Sequence, residues 1–240
     1  MKIELLYPEI CNLYGEPQNA YYLARCCPDL EVAETHLGSR PLFLEEPAAL
    51  VYLGTTTEQG LRLVTDALRP YRQEIAAKID AGQLFLATGN AQDMLLERIE
   101  SDRAETVEGL GLLPGHAAYH MLQRHNSFFL GRFGDGDGGM DIVGFKSIFG
   151  HTYGAGEENG LFTAVRGVGR NMDTPVEGFR RGGLMATYLI GPLLVLNPPF
   201  TKWLLRQMGC PDTLAFEEAA MDAYRERIAE FSDTSKNFLG

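Results

Sequence analysis

Over its first hundred residues the chain alternates short apolar runs with longer stretches of helical spacing. This rhythm limits the fold more than any other feature. Residues 2–7, 30–36, 49–53 and 83–87 are runs of strand length, and Leu84, Phe85 and Leu86 make the last of them apolar on both faces. Between them, residues 15–26 and 58–81 place apolar side chains at helical intervals. Leu61, Leu63, Val64, Leu68, Ile75 and Ile79 are expected to form the apolar stripe of the second helix, and residues 91–99 are expected to form another. Strands that follow one another through helices pair in parallel, and their crossovers cover both sheet faces. The expected class is therefore α/β, with a mixed, mostly parallel sheet flanked by helices.

Beyond residue 107 the rhythm changes. Short strands are expected at 117–122, 127–133, 142–147, 161–165 and 185–190, as an antiparallel extension of the sheet. Closing helices are expected at 198–207 and 213–231, with a frayed tail over 232–240. The turn-rich stretch 131–139 holds Asp135 and Asp137, but the twelve-residue calcium loop with its closing Glu is missing. With no internal repeat and no linker, residues 1–240 read as a single domain.

Charge removes whole classes of function. The 21 basic and 32 acidic residues leave a net charge of -11, which opposes binding to nucleic acid or to an anionic membrane. No apolar stretch reaches the length of about 18 residues that a membrane helix needs. The opening MKIELLYPEI has no apolar core of the secretory kind, so a cytoplasmic protein is expected. Cys11, Cys26, Cys27 and Cys210 match no zinc spacing and read as reduced, buried thiols. No metal and no cofactor are expected.

In a doubly wound sheet, ligands gather beyond the carboxyl ends of the strands. Four unusual segments stand there: residues 7–15, 54–57, 87–92 and 188–194. The third has the form of a nucleophile elbow, a tight strand-to-helix turn that exposes one side chain and offers backbone N–H groups to an oxyanion. Gly89 would permit the close backbone approach. Many α/β proteins turn through a Thr-Gly pair with no catalysis, so the turn alone decides nothing.

Taken together, the four segments resemble the class I, triad-type glutamine amidotransferases of the CobB/CobQ branch. The closest subtype is GatD, the glutaminase subunit that works with the Mur-ligase-like MurT on the peptidoglycan precursor lipid II. YPEICNLYGEPQN at residues 7–19 resembles that subtype's opening YP-x-x-x-NLYGD-x-x-N. Leu53-Gly54 followed by Glu58-Gln59 resembles its oxyanion loop, and ATGNAQ at 87–92 its elbow A-x-C-G-G-Y-Q. IVGF at 142–145 and ATYLIGPLLVLNP at 186–198 resemble its IVGFE and G-T-Y-L-H-G-P-L-L-x-x-N-P. The resemblance implies a class I amidotransferase-like, flavodoxin-like fold over nearly the whole chain.

It also exposes the departures. Thr88 stands where the resemblance implies a nucleophilic Cys, and Ile190 where it implies the general-base His. Thr55, Thr56 and Thr57 replace a Gly-rich oxyanion loop, and Lys146 replaces an acid. The implied substrate pocket is Gly54, Thr55, Gly89, Asn90 and Gln92. Glutamine hydrolysis needs a thiolate and a base that later protonates ammonia. Losing nucleophile and base together costs about six orders of magnitude in rate. The resemblance therefore implies a degenerate subunit partnered with a MurT-like Mur ligase. The rivals are an active glutaminase serving lipid II or cobyrinate-type amidation, and a sensor whose pocket holds glutamine or another small metabolite. A relocated nucleophile, Cys11 with His151 as a distant base, is the remaining route to activity.

Overall fold

The computed structural model describes residues 1–134 and 139–238. Asp135 and Asp137, weighed above for calcium, lie outside the described residues. The central sheet has six strands: β1 (Lys2–Leu6), β2 (Glu31–Thr35), β3 (Leu50–Leu53), β4 (Phe85–Thr88), β13 (Phe179–Arg181) and β14 (Leu184–Thr187). Their order is β13-β14-β4-β3-β1-β2, and every pairing is parallel except β13 with β14.

Period-two alternation divides the core between the two faces. Leu6, Val51, Leu53 and Ala87 pack on one side with Leu61 and Val64 of α2 (Glu58–Leu68) and Ile75 and Ile79 of α3 (Arg72–Asp80). Ile3, Leu5, Tyr52 and Leu86 face the other side, against Ala20 and Leu23 of α1 (Gln18–Cys26) and Phe200 and Leu204 of α6 (Pro198–Gln207). Because α1 and α2 leave β1 and β3 toward opposite faces, the loops after these strands part at a crevice.

Several elements differ from the expectation. The long helix over 58–81 is two helices, α2 and α3, joined by one 3₁₀ turn at Arg69–Tyr71. Pro70 lacks the N–H that would continue the first helix. The helix at 91–99 stops early as α4 (Ala91–Leu95), where Leu96 turns to extended backbone. The chain then enters β5 (Arg98–Ser101), because these residues pair in parallel with β7 (His116–Tyr119). Of the β-rich half only β14 and the antiparallel edge strand β13 join the central sheet. The other strands form two separate four-stranded sheets. One comprises β5, β6 (Val107–Glu108), β7 and β10 (Gly150–Tyr153). The other comprises β8 (His125–Phe133), β9 (Met140–Ile148), β11 (Phe162–Arg166) and β12 (Val176–Glu177).

The strand expected to run to residue 190 ends at Thr187. There the Glu177 carboxylate accepts both the Thr187 hydroxyl and the Tyr188 N–H at 2.8 Å, which draws the chain off the ladder. The described part of the tail is not frayed. After α7 (Glu217–Ser232), Phe238 packs with Phe128 and Phe231, and its carbonyl accepts the Phe128 N–H at 3.0 Å. Among the described residues no helix is long and apolar enough to cross a membrane.

Candidate functional site

The parallel strands β14, β4, β3 and β1 are neighbours, so the four segments singled out in the sequence emerge side by side along one sheet edge. Thr88 is the last residue of β4. Gly89 follows at φ 62, and Asn90 precedes the five-residue α4. Glycine is required there, since a Cβ on residue 89 would lie 2.0 Å from Thr55 Oγ1.

Thr88 is fully buried, and its hydroxyl does not face open space. It lies 2.6 Å from the Tyr52 hydroxyl, and either group can be the donor. Tyr52 in turn donates to Glu16 Oε2 at 3.2 Å, and Asn19 Nδ2 donates to the same oxygen at 3.1 Å. Glu16 Oε1 accepts the Gly191 N–H at 2.7 Å, while Asn19 Oδ1 accepts the Leu194 N–H at 2.8 Å. One buried carboxylate thus ties the first loop, β3, the elbow and the turn after β14 together. Burial pushes the Glu16 carboxyl above its ordinary range, against the opposing pull of its donors.

Ile190 is buried beside this network. Its N–H donates to the Phe145 carbonyl at 3.0 Å in an isolated antiparallel bridge to β9, and its side chain cannot carry a proton. Glu16 is close enough to receive a proton from the Thr88 hydroxyl, but no opening leads to that hydroxyl.

The loop after β3 is stapled to the elbow. Asn90 Oδ1 accepts the Thr56 N–H at 3.0 Å, and Asn90 Nδ2 donates to the Thr56 carbonyl at 2.8 Å. Thr55 donates to the Thr88 carbonyl at 3.2 Å, and Thr57 caps α2 by accepting the Gly60 N–H at 3.1 Å. The Thr56 N–H, which a Gly-rich loop would leave for an oxyanion, is consumed. Gly54 faces back toward the first loop, where an added Cβ would meet the Cys11 carbonyl at 2.8 Å.

Gln92 is buried, donates to Thr152 at 3.2 Å, and leaves its Oε1 without a partner. Lys146, at the position where the resemblance implies an acid, is buried in an ion pair with Glu177.

Open space lies to the side of the elbow. A cleft of roughly 450 Å³ is lined by Tyr14, the 55–57 loop, Glu58, Asn90, Tyr119 and Arg124, among others. Of the implied pocket residues it brings Thr55 and Asn90 together, and leaves out Gly54, Gly89 and Gln92. Cys11 does not line it. Burial removes all exposure from that residue and pushes its thiol up to about 12, so it supplies no thiolate near neutral pH. His151 is pushed down to about 4 by burial and by the neighbouring His125.

The residues that sequence reasoning missed are Glu16, Asn19, Tyr52, Asp93 and Tyr188. Asp93 is buried and accepts the hydroxyls of Tyr119 and Tyr188 at 2.6 Å each, and burial raises it to about 7. The available signal was acidic and phenolic residues inside segments otherwise made for the core.

No protein-family model matches the chain. Among curated proteins it is similar to the GatD subunit of lipid II isoglutaminyl synthase (glutamine-hydrolyzing) of Staphylococcus aureus. The two are 25% identical over 174 residues, which is 72% of this chain and 69% of that one. Among solved structures it is similar to PurLQS from Thermotoga maritima, with a TM-score of 0.56, 15% identity, and 95% and 98% of the two chains covered. A glutamine amidotransferase crystal structure matches at 0.56 with 16% identity, covering 86% of this chain and 98% of the other. Another glutamine amidotransferase, also from Thermotoga maritima, matches at 0.51 with 10% identity, covering 97% and 86%. The chain is thus related in sequence to GatD, and its fold is that of the class I glutamine amidotransferases.

Proposed function

We propose that this chain is a GatD-like cytoplasmic subunit, a single domain over residues 1–240, that no longer hydrolyses glutamine. It serves as the non-catalytic partner of a MurT-like Mur ligase in cell-wall precursor amidation. The observation that carries the loss of hydrolysis is the sealed elbow. Thr88 is fully buried, bonded to Tyr52, and absent from the walls of the neighbouring cleft. A hydroxyl nucleophile needs an adjacent base and an approach path for the carbonyl carbon. Ile190 supplies no base, and the path is closed. The stapled 55–57 loop supports the same reading, since one missing oxyanion donor alone costs about 10²–10³ in rate.

The partner assignment follows the relationship to GatD, whose name makes it a subunit of a synthase. Co-expression with a Mur-ligase-like protein from the same genome, followed by gel filtration and a coupled ammonia assay, tests both parts. A joint peak without ammonia release above a Thr88→Ala control is expected. Two separate peaks at micromolar concentration would refute the partnership, and turnover lost in Thr88→Ala would refute the loss of hydrolysis. The open cleft favours a second role as a small-metabolite pocket alongside the scaffold role.

A further inference from the structure

Two clefts of different chemistry meet beside the elbow. The first is the polar cleft over the 55–57 loop. The second, roughly 780 Å³, opens past the start of α2 and shares Glu58 and Tyr119 with the first. Its walls include Leu61, Ile99, Val107 and Met121, together with Ser101 and the exposed Arg103 and Glu105. Tyr119 stands where the two meet and is held fixed, because its hydroxyl donates to the buried Asp93 carboxylate at 2.6 Å. A cleft that is mostly apolar with a few placed polar groups has the character of a small-molecule site.

Two charged groups line the polar cleft, Arg124 and Glu58. Arg124 lies 4.4 Å from the centroid of the Phe149 ring and reaches the Tyr14 hydroxyl at 3.4 Å. Among the described residues it pairs with no carboxylate. Glu58, in the first turn of α2, likewise forms no ion pair among the described residues. A guanidinium free on its donor face suits a carboxylate in a two-pronged bond, and the free Glu58 carboxylate suits an ammonium. The apolar compartment begins at Glu58 and Tyr119, next to where that ammonium would sit.

We propose that the joined clefts bind a free α-amino acid with a large apolar side chain, of the leucine or phenylalanine class. Its carboxylate would meet Arg124, its ammonium Glu58, and its side chain the Leu61–Val107–Met121 compartment. The proposal rests on the reading that the elbow is closed, since a side chain turned into the second compartment presents nothing to Thr88. Selectivity follows from the same walls. A glutamine carboxamide set against Leu61, Ile99, Val107 and Met121 would lose its water partners there, a loss of about tenfold or more in affinity.

Isothermal titration calorimetry of the full chain with L-phenylalanine, L-leucine and L-glutamine tests this, using wild type, Arg124→Gln and Val107→Trp. Saturable one-to-one binding of L-phenylalanine or L-leucine is expected, at least about tenfold tighter than L-glutamine. Arg124→Gln should weaken it about tenfold or more. Val107→Trp should abolish it by filling the compartment. Met121→Trp fills the same space should the first variant fail to fold.

No saturable heat from either apolar amino acid at roughly 10 mM would overturn the proposal. Tighter binding of L-glutamine, or binding unchanged by both classes of variant, would overturn it equally. The ammonia assay on the same preparations separates the two readings. Ammonia release together with phenylalanine binding refutes only the closed elbow. Silence in both experiments refutes only the proposed ligand.

Discussion

Replacing Gly89 by alanine tests whether the threonine loop is packed onto the elbow. Two costs add. At φ 62 an L side chain is strained by roughly 1–2 kcal/mol. The new Cβ would also lie 2.0 Å from Thr55 Oγ1 and 3.0 Å from its Cβ and Cγ2. Thr55 is buried and bonded to the Thr88 carbonyl, so this overlap carries the usual overpacking cost of about 1–3 kcal/mol. The sum, about 2–5 kcal/mol, is a large share of the 5–15 kcal/mol typical of a domain.

Thr55→Gly alone loses the bond to the Thr88 carbonyl and stiffens the chain less, costing about 1–2 kcal/mol. In the double variant the overlap vanishes and only the backbone strain remains. A four-protein urea series followed by circular dichroism should therefore give a coupling energy of about 1–3 kcal/mol. Additivity within about 0.5 kcal/mol would show that Thr55 does not cover the elbow and would refute the argument for a stapled loop.

Three further outcomes follow from the buried polar groups. Tyr52→Phe strips a shared hydroxyl from Thr88, Asn19 and Glu16, and should cost about 1–3 kcal/mol in the same urea assay; an unchanged midpoint would remove Tyr52 from the network. The Asp93 carboxyl is raised to about 7 in the fold from its model value of 3.8, so the native state holds a proton that the unfolded chain releases. Its contribution is fully present below about pH 4, is lost as pH rises through 7, and amounts to a few kcal/mol at about 1.36 kcal/mol per pKa unit. Asp93→Asn should flatten stability between those pH values relative to wild type, and parallel curves would contradict the assignment. Finally, Cys11, Cys26, Cys27 and Cys210 are all buried, so a thiol reagent should leave the native protein unlabelled and react only after denaturant is added.

The parallel core was legible because β3 and β4 are buried on both faces and its helices keep a helical stripe. The misread boundaries have local causes. Pro70 interrupts a stripe whose spacing otherwise continues. The apolar residues Met94 to Ile99 carry no period that separates helix from strand, so only the pairing of β5 with β7 decides. Phe238 reads as a tail residue until Phe128 and Phe231, far away in sequence, come together around it.

The sequence marks candidate positions and not the wiring between them. Thr88 and Ile190 stand out through the motifs that flank them. Glu16, by contrast, acts through Tyr52 and Gly191, which lie 36 and 175 residues away. No local pattern announces a carboxylate that closes four segments at once. The threonines of the 55–57 loop were readable as a departure from glycine, yet their consequence, the consumed Thr56 N–H, needs Asn90 in place.

The central claim is that neither Thr88 nor Cys11 faces the cleft, and covalent trapping tests it most directly. The full chain, alone and co-expressed with a Mur-ligase-like protein, would be incubated with a diazoketone analogue of L-glutamine, then its intact mass measured and its peptides mapped. The account predicts an unchanged mass, because Thr88 is sealed behind Tyr52 and Glu16 and the Cys11 thiol is held up at about 12. A single adduct mapped to Thr88 would contradict it, and an adduct on Cys11 would restore the relocated thiol as the working nucleophile.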